Sequence, residues 1–421
     1  MTNINNRLLN IGLHGATLGT RFLFIIFLAK YLSPASVGYY GLFTAAVGYS
    51  LYFVGLDFYT YATREILKSP KEQRGRLLKS QAALSGVLYL LFFPLAFFLL
   101  QFADWPSYLL LWFFPILVLE HFNQEMNRLL ITLSEQITAS VIMFIRQGSW
   151  ALAIVALMAL ESSSRQLETV MVLWAIAGVT AAATGALKLR KLQMGGWGCP
   201  PDWSWIKKGI AVSTAFLLAT LALRGIQTAD RYWLQALGGI EIVGAYLLFF
   251  GIAGTMMTFL DAGIFAFTYP VLIKLHQAQE TDLARAKVRQ MLGYTVLLCG
   301  GFALISWQLL PHLLLWIGKP VYLNAIHLYP WLLSATILNA LSTVPHYGLY
   351  ARGCDRPIIY SHIAALVVFV AATWALSSHF STLAVPLGLN FSFAFILLWK
   401  SIAYWHLNRF VASAKPAAQP A

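Results

Sequence analysis

The chain has 421 residues, of which 59% are hydrophobic and 11% charged, with a net charge of +13. Soluble domains carry about 25% charged residues, so the composition excludes water as the main solvent and puts the chain in a bilayer. The positive charge does not point to nucleic acid, because the basic residues fall in the loops where the orientation rule for membrane proteins predicts them.

A span needs about 20 predominantly apolar residues. About twelve stretches qualify: 8 to 29, 38 to 62, 81 to 102, 106 to 127, 137 to 160, 167 to 187, 209 to 230, 243 to 268, 291 to 312, 324 to 348, 358 to 378 and 383 to 405. The first is too long for the apolar region of a signal peptide and no small-residue cleavage pattern follows it, so it is expected to stay in the mature protein. Its polar residues Asn10, His14, Thr17 and Arg21 are spaced 4, 3 and 4, which places them on one helical stripe. Gly15 and Gly19 form a G-x-x-x-G that permits close helix approach.

Between the first and second spans begins a passage that recurs some two hundred residues later. Val37-Gly38-x-Tyr40-x-Leu42-Phe43 is written again as Val243-Gly244-x-Tyr246-x-Leu248-Phe249, and each copy is followed by a Leu-Asp pair, Leu56-Asp57 and Leu260-Asp261. Basic loops, 63 to 80 and 274 to 290, come next in both halves. The fourth span carries Glu120, Gln124 and Arg128 on one face, with Glu125 close enough to Arg128 for an ion pair. Glu120 lies deeper. Either it binds and releases a proton or it is the fixed partner of Arg146 in the fifth span.

Lys188 to Lys208 is basic and turn-rich, with Gly195-Gly196 and Pro200-Pro201, and it separates six spans from six. An even number of spans per half keeps the halves in the same orientation, a parallel repeat whose axis lies along the membrane normal. The expected organisation is a six-helix bundle at 1–190, a basic cytoplasmic linker at 191–208, a second bundle at 209–405 and a cytoplasmic tail at 406–421. With the N-terminus inside, the outer segments hold only Lys30, Arg165, Arg231 and Lys319, while Lys400, Arg409 and Lys415 join the inner set. Both termini are thereby expected in the cytoplasm.

In the second half, Thr220, Arg224 and Gln227 lead to Asp230 and Arg231 at the outer end of the seventh span, and Thr336, Asn339, Thr343 and His346 form a stripe in the tenth. Ionisable residues in mid-span are costly and mark pathways. The shared destination expected for the three stripes is a central hydrated cavity. The competing expectation is that each arginine pairs with a local carboxylate and binds helices together. Cys199, Cys299 and Cys354 are widely spaced, so neither a disulfide framework nor a zinc site is expected. No nucleotide-binding or hydrolase signature occurs, and no cofactor, metal or catalytic residue is assigned.

At these residues the chain resembles polysaccharide flippases of the Wzx type, in the multidrug/oligosaccharidyl-lipid/polysaccharide exporter superfamily. The cues are Arg21; Leu28 to Pro34 leading into Val37-Gly38-x-Tyr40; Gly55-Leu56 followed by Arg64-Glu65; Asp230-Arg231 before Val243-Gly244-x-Tyr246; and Tyr269-Pro270. Lys30 and Ser33 depart from the pattern, where relatives often have Arg and Gly. The resemblance implies an all-α integral membrane protein of about 12 transmembrane helices, in two parallel six-helix bundles around a central cavity. It further implies a bacterial inner-membrane protein of polysaccharide or lipopolysaccharide biosynthesis, not an enzyme, moving a polyprenyl-pyrophosphate-linked oligosaccharide by alternating access with ion coupling. Its partners would be that lipid-linked oligosaccharide, membrane lipid, a polysaccharide polymerase and a chain-length regulator. On this reading Arg21, Arg224, His14, Gln227, Arg231 and Asn339 bind substrate, and Glu120, Arg146 and Asp230 serve coupling. A multidrug or cation antiporter is the alternative, followed by a membrane polymerase or ligase.

Overall fold

The computed structural model describes residues 2–103 and 105–413, with side chains described at 9, 12–103, 105–214 and 217–408. Among these residues there is no strand, and nearly all of the chain is helix. Contacts divide it into two units, Met1–Leu221 and Ala222–Ala421. The division falls later than the linker expected at 191–208. Asn10, Arg7, Arg409, Lys415 and most of the expected tail lie outside the residues whose side chains are described.

Unit 1 contains six helical passages. They are α1 (Thr2–Tyr31); α2 (Pro34–Gly55) with α3 (Tyr59–Lys68); α4 (Lys71–Phe102); α5 (Ser107–Thr132); α6 (Gln136–Phe144) with α7 (Trp150–Leu160); and α8 (Leu167–Lys191). Helix α2 starts where its sequence dictates: Ser33 accepts a hydrogen bond from the Ser36 N–H and Pro34 occupies the first turn. The expected continuous span 38–62 is broken. Leu56 and Asp57 both adopt left-handed backbone, φ 50° and 49°, and α3 leaves at 49° to α2. The fifth passage is interrupted by a π-helical turn, Ile145–Ser149, between α6 and α7.

From α9 onward the same order returns. Helix α9 (Trp203–Leu260) crosses the boundary between the units and bends at Gly239, where φ is 78°. Its second part continues through a π-helical turn, Asp261–Phe265, into α10 (Ala266–Gln277), and α11 (Thr281–Ile317), α12 (Pro320–Asn324), α13 (Tyr329–Tyr350), α14 (Asp355–Phe380) and α15 (Ala384–Ser413) follow. The repeated motif thus opens the second passage of each unit, and the Leu-Asp pair that follows marks a helix irregularity in both copies, a left-handed break at Leu56-Asp57 and a π turn from Asp261.

Every expected span coincides with a helical passage to within a few residues at its ends, and most passages run longer. The sequences read as basic loops, 63–80 and 274–290, are mostly helix, because charged residues that cannot enter lipid still extend a helix into water. Seven stretches among the described residues are long and apolar enough to cross a membrane, or eight if α2 and α3 form one bent span. Two of the seven, Leu217–Gln277 and Asp355–Asn408, each hold two passages. The fourth passages of the two units, α5 and α13, are absent from that set, and they are the passages that carry Glu120, Glu125 and Arg128 and the Thr336-to-His346 stripe.

Aromatic packing builds each core. In unit 1 the Phe43 ring meets Trp105, Phe113 and Trp174 at centroid distances of 6.0, 6.1 and 5.8 Å. In unit 2 Phe249 of the second motif copy meets Tyr329 edge-on at 5.9 Å. Helix α15 packs along both α13 and α14, with Asn390 donating to the Trp331 carbonyl and Ser392 to that of Ala365. Only 17% of the most apolar window is buried in α4 and in α11, the third passage of each unit. Their exposed Leu90, Leu95, Phe98, Leu297, Leu304 and Trp307 suit a surface covered by lipid.

The turn-rich segment before α9 is docked on α4. The Gly75 N–H donates to the Gly195 carbonyl at 2.8 Å, Lys79 reaches the carbonyls of Trp197 and Cys199, and Arg76 pairs with Asp202 at 3.3 Å. A side chain at Gly75 would press on the Gly195 carbonyl and the Trp197 ring, which explains the glycine there.

Candidate functional site

The polar stripe of α1 faces the fifth passage. His14 Nε2 lies 3.3 Å from Ser140 Oγ, Thr17 is buried against Gly148, and Arg21 Nη1 donates to Gln147 Oε1 at 3.3 Å. Ser140 and Gln147 are seven residues apart, two turns on one face, so stripe meets stripe. Thr17 turns its hydroxyl back to the Leu13 carbonyl and offers no free donor. Arg21 itself is exposed.

Gln147 points toward α1 while its neighbour Arg146 points into the bundle, and both lie in the π-helical turn. Such turns widen the helix by a residue and recur at functional sites. Arg146 Nε donates to Glu120 Oε2 at 2.8 Å with Nη2 at 2.5 Å from the same oxygen, and Trp174 Nε1 donates to Oε1 at 2.8 Å. Both side chains are about one-tenth exposed. Trp150, which donates to the Arg146 carbonyl, stacks on Trp174 with planes 5° apart and closes the network on one side.

In unit 2, Arg224 is exposed and donates to Gln227 Oε1 at 2.9 Å, one turn along α9. Neither Arg21 nor Arg224 forms an ion pair with a carboxylate among the described residues. The expectation that each is neutralised by a local acid does not hold: each is steadied by a glutamine amide, which orients the guanidinium and leaves its charge intact. Arg231, expected in an outer segment, is within α9 and half-buried, its guanidinium 6.0 Å from the Phe250 ring centroid. Helix continues through this point because the break comes only at Gly239.

Asp230 is fully buried, accepting from the Tyr246 hydroxyl at 2.5 Å and from the Arg231 N–H at 2.7 Å. Tyr246 belongs to the repeated motif, so that motif supplies a ligand to a buried acid in the second copy. Asn339 is half-buried, and its carbonyl accepts from Ser342 and Thr343. Lys400, counted with the inner basic residues although it lies within the expected span 383–405, is buried between α13 and α14. Helix α15 runs from Ala384 to Ser413, so the lysine falls in its interior and not at its end.

The residues that sequence reasoning left out are Gln147, Trp174, Tyr246, His362 and Lys400. Gln147 adjoins Arg146, and Lys400 lay within an expected span, which were the available signals.

The sequence matches the polysaccharide biosynthesis protein family over residues 4–276, more than half of the chain. The chain belongs to this family. No curated protein matches it in sequence. Among solved structures, an inward-facing multidrug resistance MATE family transporter of the MOP superfamily matches with a TM-score of 0.78 at 12% identity, covering 95% of this chain and 96% of that one. A MATE transporter of Vibrio cholerae matches at 0.60 and 12%, over 96% and 98%. A MOP superfamily transporter from Pyrococcus furiosus, described as having a binding pocket of reverse polarity, matches at 0.55 and 12%, over 98% and 95%. At these identities the likeness establishes the fold: this family member is a multi-pass helical membrane protein built like the MATE transporters.

Proposed function

We propose that the protein is a flippase that carries a polyprenyl-pyrophosphate-linked oligosaccharide across the bacterial inner membrane, by alternating access and with ion coupling. The observation that carries the reading is the pair of exposed mid-helix arginines, Arg21 and Arg224, each held by a glutamine amide with no counter-acid among the described residues. An arginine near the centre of a span that faced lipid would cost at least about 2.5 kcal/mol. A water-filled cavity removes that cost, and an anionic cargo uses the charge. A guanidinium presents a planar fork suited to phosphate or carboxylate. Gln227 contacts Arg224 and His14 lies two turns from Arg21 on the same stripe of α1, with Arg231 and Asn339 as further polar contacts for the sugar. Family membership supports the link to polysaccharide.

Coupling on this reading falls to Glu120, Arg146 and Asp230. Alternating access needs two states of the units with the cavity open to one face and then the other, and charge neutralisation by the pyrophosphate in one state would lower the cost of closing over it. The protein's partners are then the lipid-linked oligosaccharide, the surrounding lipid, and the polymerase and chain-length regulator that use the product. A multidrug or cation antiporter would need acids on the exposed face. Glu120 and Asp230 are instead buried and engaged.

The test is complementation of surface polysaccharide in cells lacking the gene. Arg224→Ala is expected to abolish the polysaccharide at unchanged protein level, and Arg224→Lys to retain part of it. Full activity in Arg224→Ala would exclude a role for this charge in substrate handling.

A further inference from the structure

Three basic side chains meet inside unit 2. Lys400 on α15 is 3% exposed, and its Nζ lies 3.0 Å from His362 Nε2 on α14 and 3.3 Å from His346 Nδ1 on α13. The two imidazole planes are within 8° of parallel, with centroids 6.3 Å apart. None of the three is ion-paired to a carboxylate among the described residues. A buried lysine ordinarily has an acid beside it. Here its neighbours are two bases.

The donor count fixes what such a cluster can hold. An ammonium has three hydrogens and no acceptor, whereas a neutral imidazole has one acceptor nitrogen. Lys400 can donate to His346 Nδ1 and to His362 Nε2 with three hydrogens or with two, which sets both tautomers and keeps both contacts as one proton comes and goes. A second proton would put like charges within hydrogen-bond distance, and removing the first leaves three neutral bases. The arrangement is suited to gaining and losing a single proton.

Among the described residues the surroundings add no counter-charge paired to the trio. On α13, Tyr347 lies edge-on to His346 at 5.6 Å and Tyr350 stacks on it at 6.2 Å. On α15 Tyr404 lies one turn beyond Lys400, beneath Arg352, whose guanidinium is 5.1 Å from the ring centroid. Tyr360, two residues from His362 on α14, is exposed. Asp261, in the π-helical turn, is exposed and forms no ion pair with the trio among the described residues. His362 lies seven residues into α14, so at a rise of about 1.5 Å per residue the cluster is roughly 10 Å from the end of the unit that carries the turn at 351–354. Arg352 at that end also binds Asn408 and approaches His276.

We propose that Lys400, His346 and His362 form a single proton-binding site that is loaded and emptied during transport, the proton leaving to water at the nearby end of the unit. This rests on the transport reading above and adds a coupling group in the second unit.

Histidine nitrogen NMR of the purified full-length chain in lipid nanodiscs tests the site without substrate. From about pH 5 to 9 the His346 and His362 signals are expected to move together through one shared step, and Lys400→Met should remove it. If that variant does not fold, Lys400→Arg keeps a charge that does not titrate and should remove the step equally. Independent or flat titration of the two histidines in the wild type, or the shared step surviving in these variants, overturns the site. In vesicles, wild-type movement of a labelled lipid-linked oligosaccharide should depend on pH and that of Lys400→Arg should not; an unchanged pH profile in Lys400→Arg overturns its part in transport. A wild-type chain that shows the NMR step but moves no oligosaccharide leaves the proton site standing and sinks the substrate instead.

Discussion

Glu120 has both carboxylate oxygens occupied, one by Arg146 and one by Trp174. For Glu120 to serve coupling these contacts must open when it takes a proton; as a fixed partner it keeps them throughout. Removing one member of a buried pair leaves the other charge without compensation, at a cost of about 3–5 kcal/mol. Glu120→Gln is therefore expected to lower the melting temperature in detergent strongly, with Glu120→Gln/Arg146→Gln less damaging than the sum of the single changes. A double variant that destabilises additively would show that the two do not act as a pair. Transport by Glu120→Gln with an unchanged pH profile would remove Glu120 from coupling. The exposed arginines present the opposite design, since an amide partner restrains a guanidinium without cancelling it.

At the scale of elements, irregular helix is where the polar chemistry gathers. In the π-helical turn at 145–149 adjacent residues serve two neighbours, Arg146 the bundle interior and Gln147 the exposed arginine of α1. The start of α9 offers a second case, outside the membrane. The carboxyl of Asp202 caps it, accepting from the Trp205 N–H at 3.0 Å and from Ser204 at 2.8 Å, and Arg76 lies nearby. The Trp205 hydrogen bond first, then Ser204 and Arg76, hold the acid below its ordinary value of 3.8. A depressed carboxylate contributes stability that is present above the unfolded value and lost as pH falls through the folded one. Limited proteolysis at 193–201 should therefore be slow at neutral pH and accelerate below about pH 3.8. Asp202→Ala, which removes a cap worth about 1 kcal/mol, is expected to raise cleavage several-fold at neutral pH. Asp202→Asn keeps the cap and should flatten the acid response; acceleration in acid as steep as wild type in Asp202→Asn would place the cause elsewhere.

For the molecule as a whole, the basic ends of the passages predict an orientation that a native thiol can test. Cys199 is exposed in the docked segment before α9, Cys299 is buried and Cys354 lies in the turn at 351–354. With Cys299 and Cys354 replaced by serine, a membrane-impermeant maleimide should label Cys199 in inverted vesicles and spare it in intact spheroplasts. Labelling from the outside would reverse the orientation drawn from the lysines and arginines.

Apolar length, the repeated motif and the stripe spacings were sufficient to read twelve helical passages in two matching sets of six, because lipid forces every backbone polar group to bond within its own helix and makes hydropathy a direct record of structure. Periodicity also assigned Arg21, Arg224 and His346 to polar faces. It could not supply their partners. Gln147, His362 and Lys400 meet Arg21 and His346 from other helices, and the helix breaks at Leu56-Asp57 and Ile145–Ser149 carry no signal in the periodicity. A helical period fixes the direction in which a side chain leaves its own axis; which neighbour it meets, and whether that neighbour is an acid, an amide or another base, is decided only when the helices are brought together.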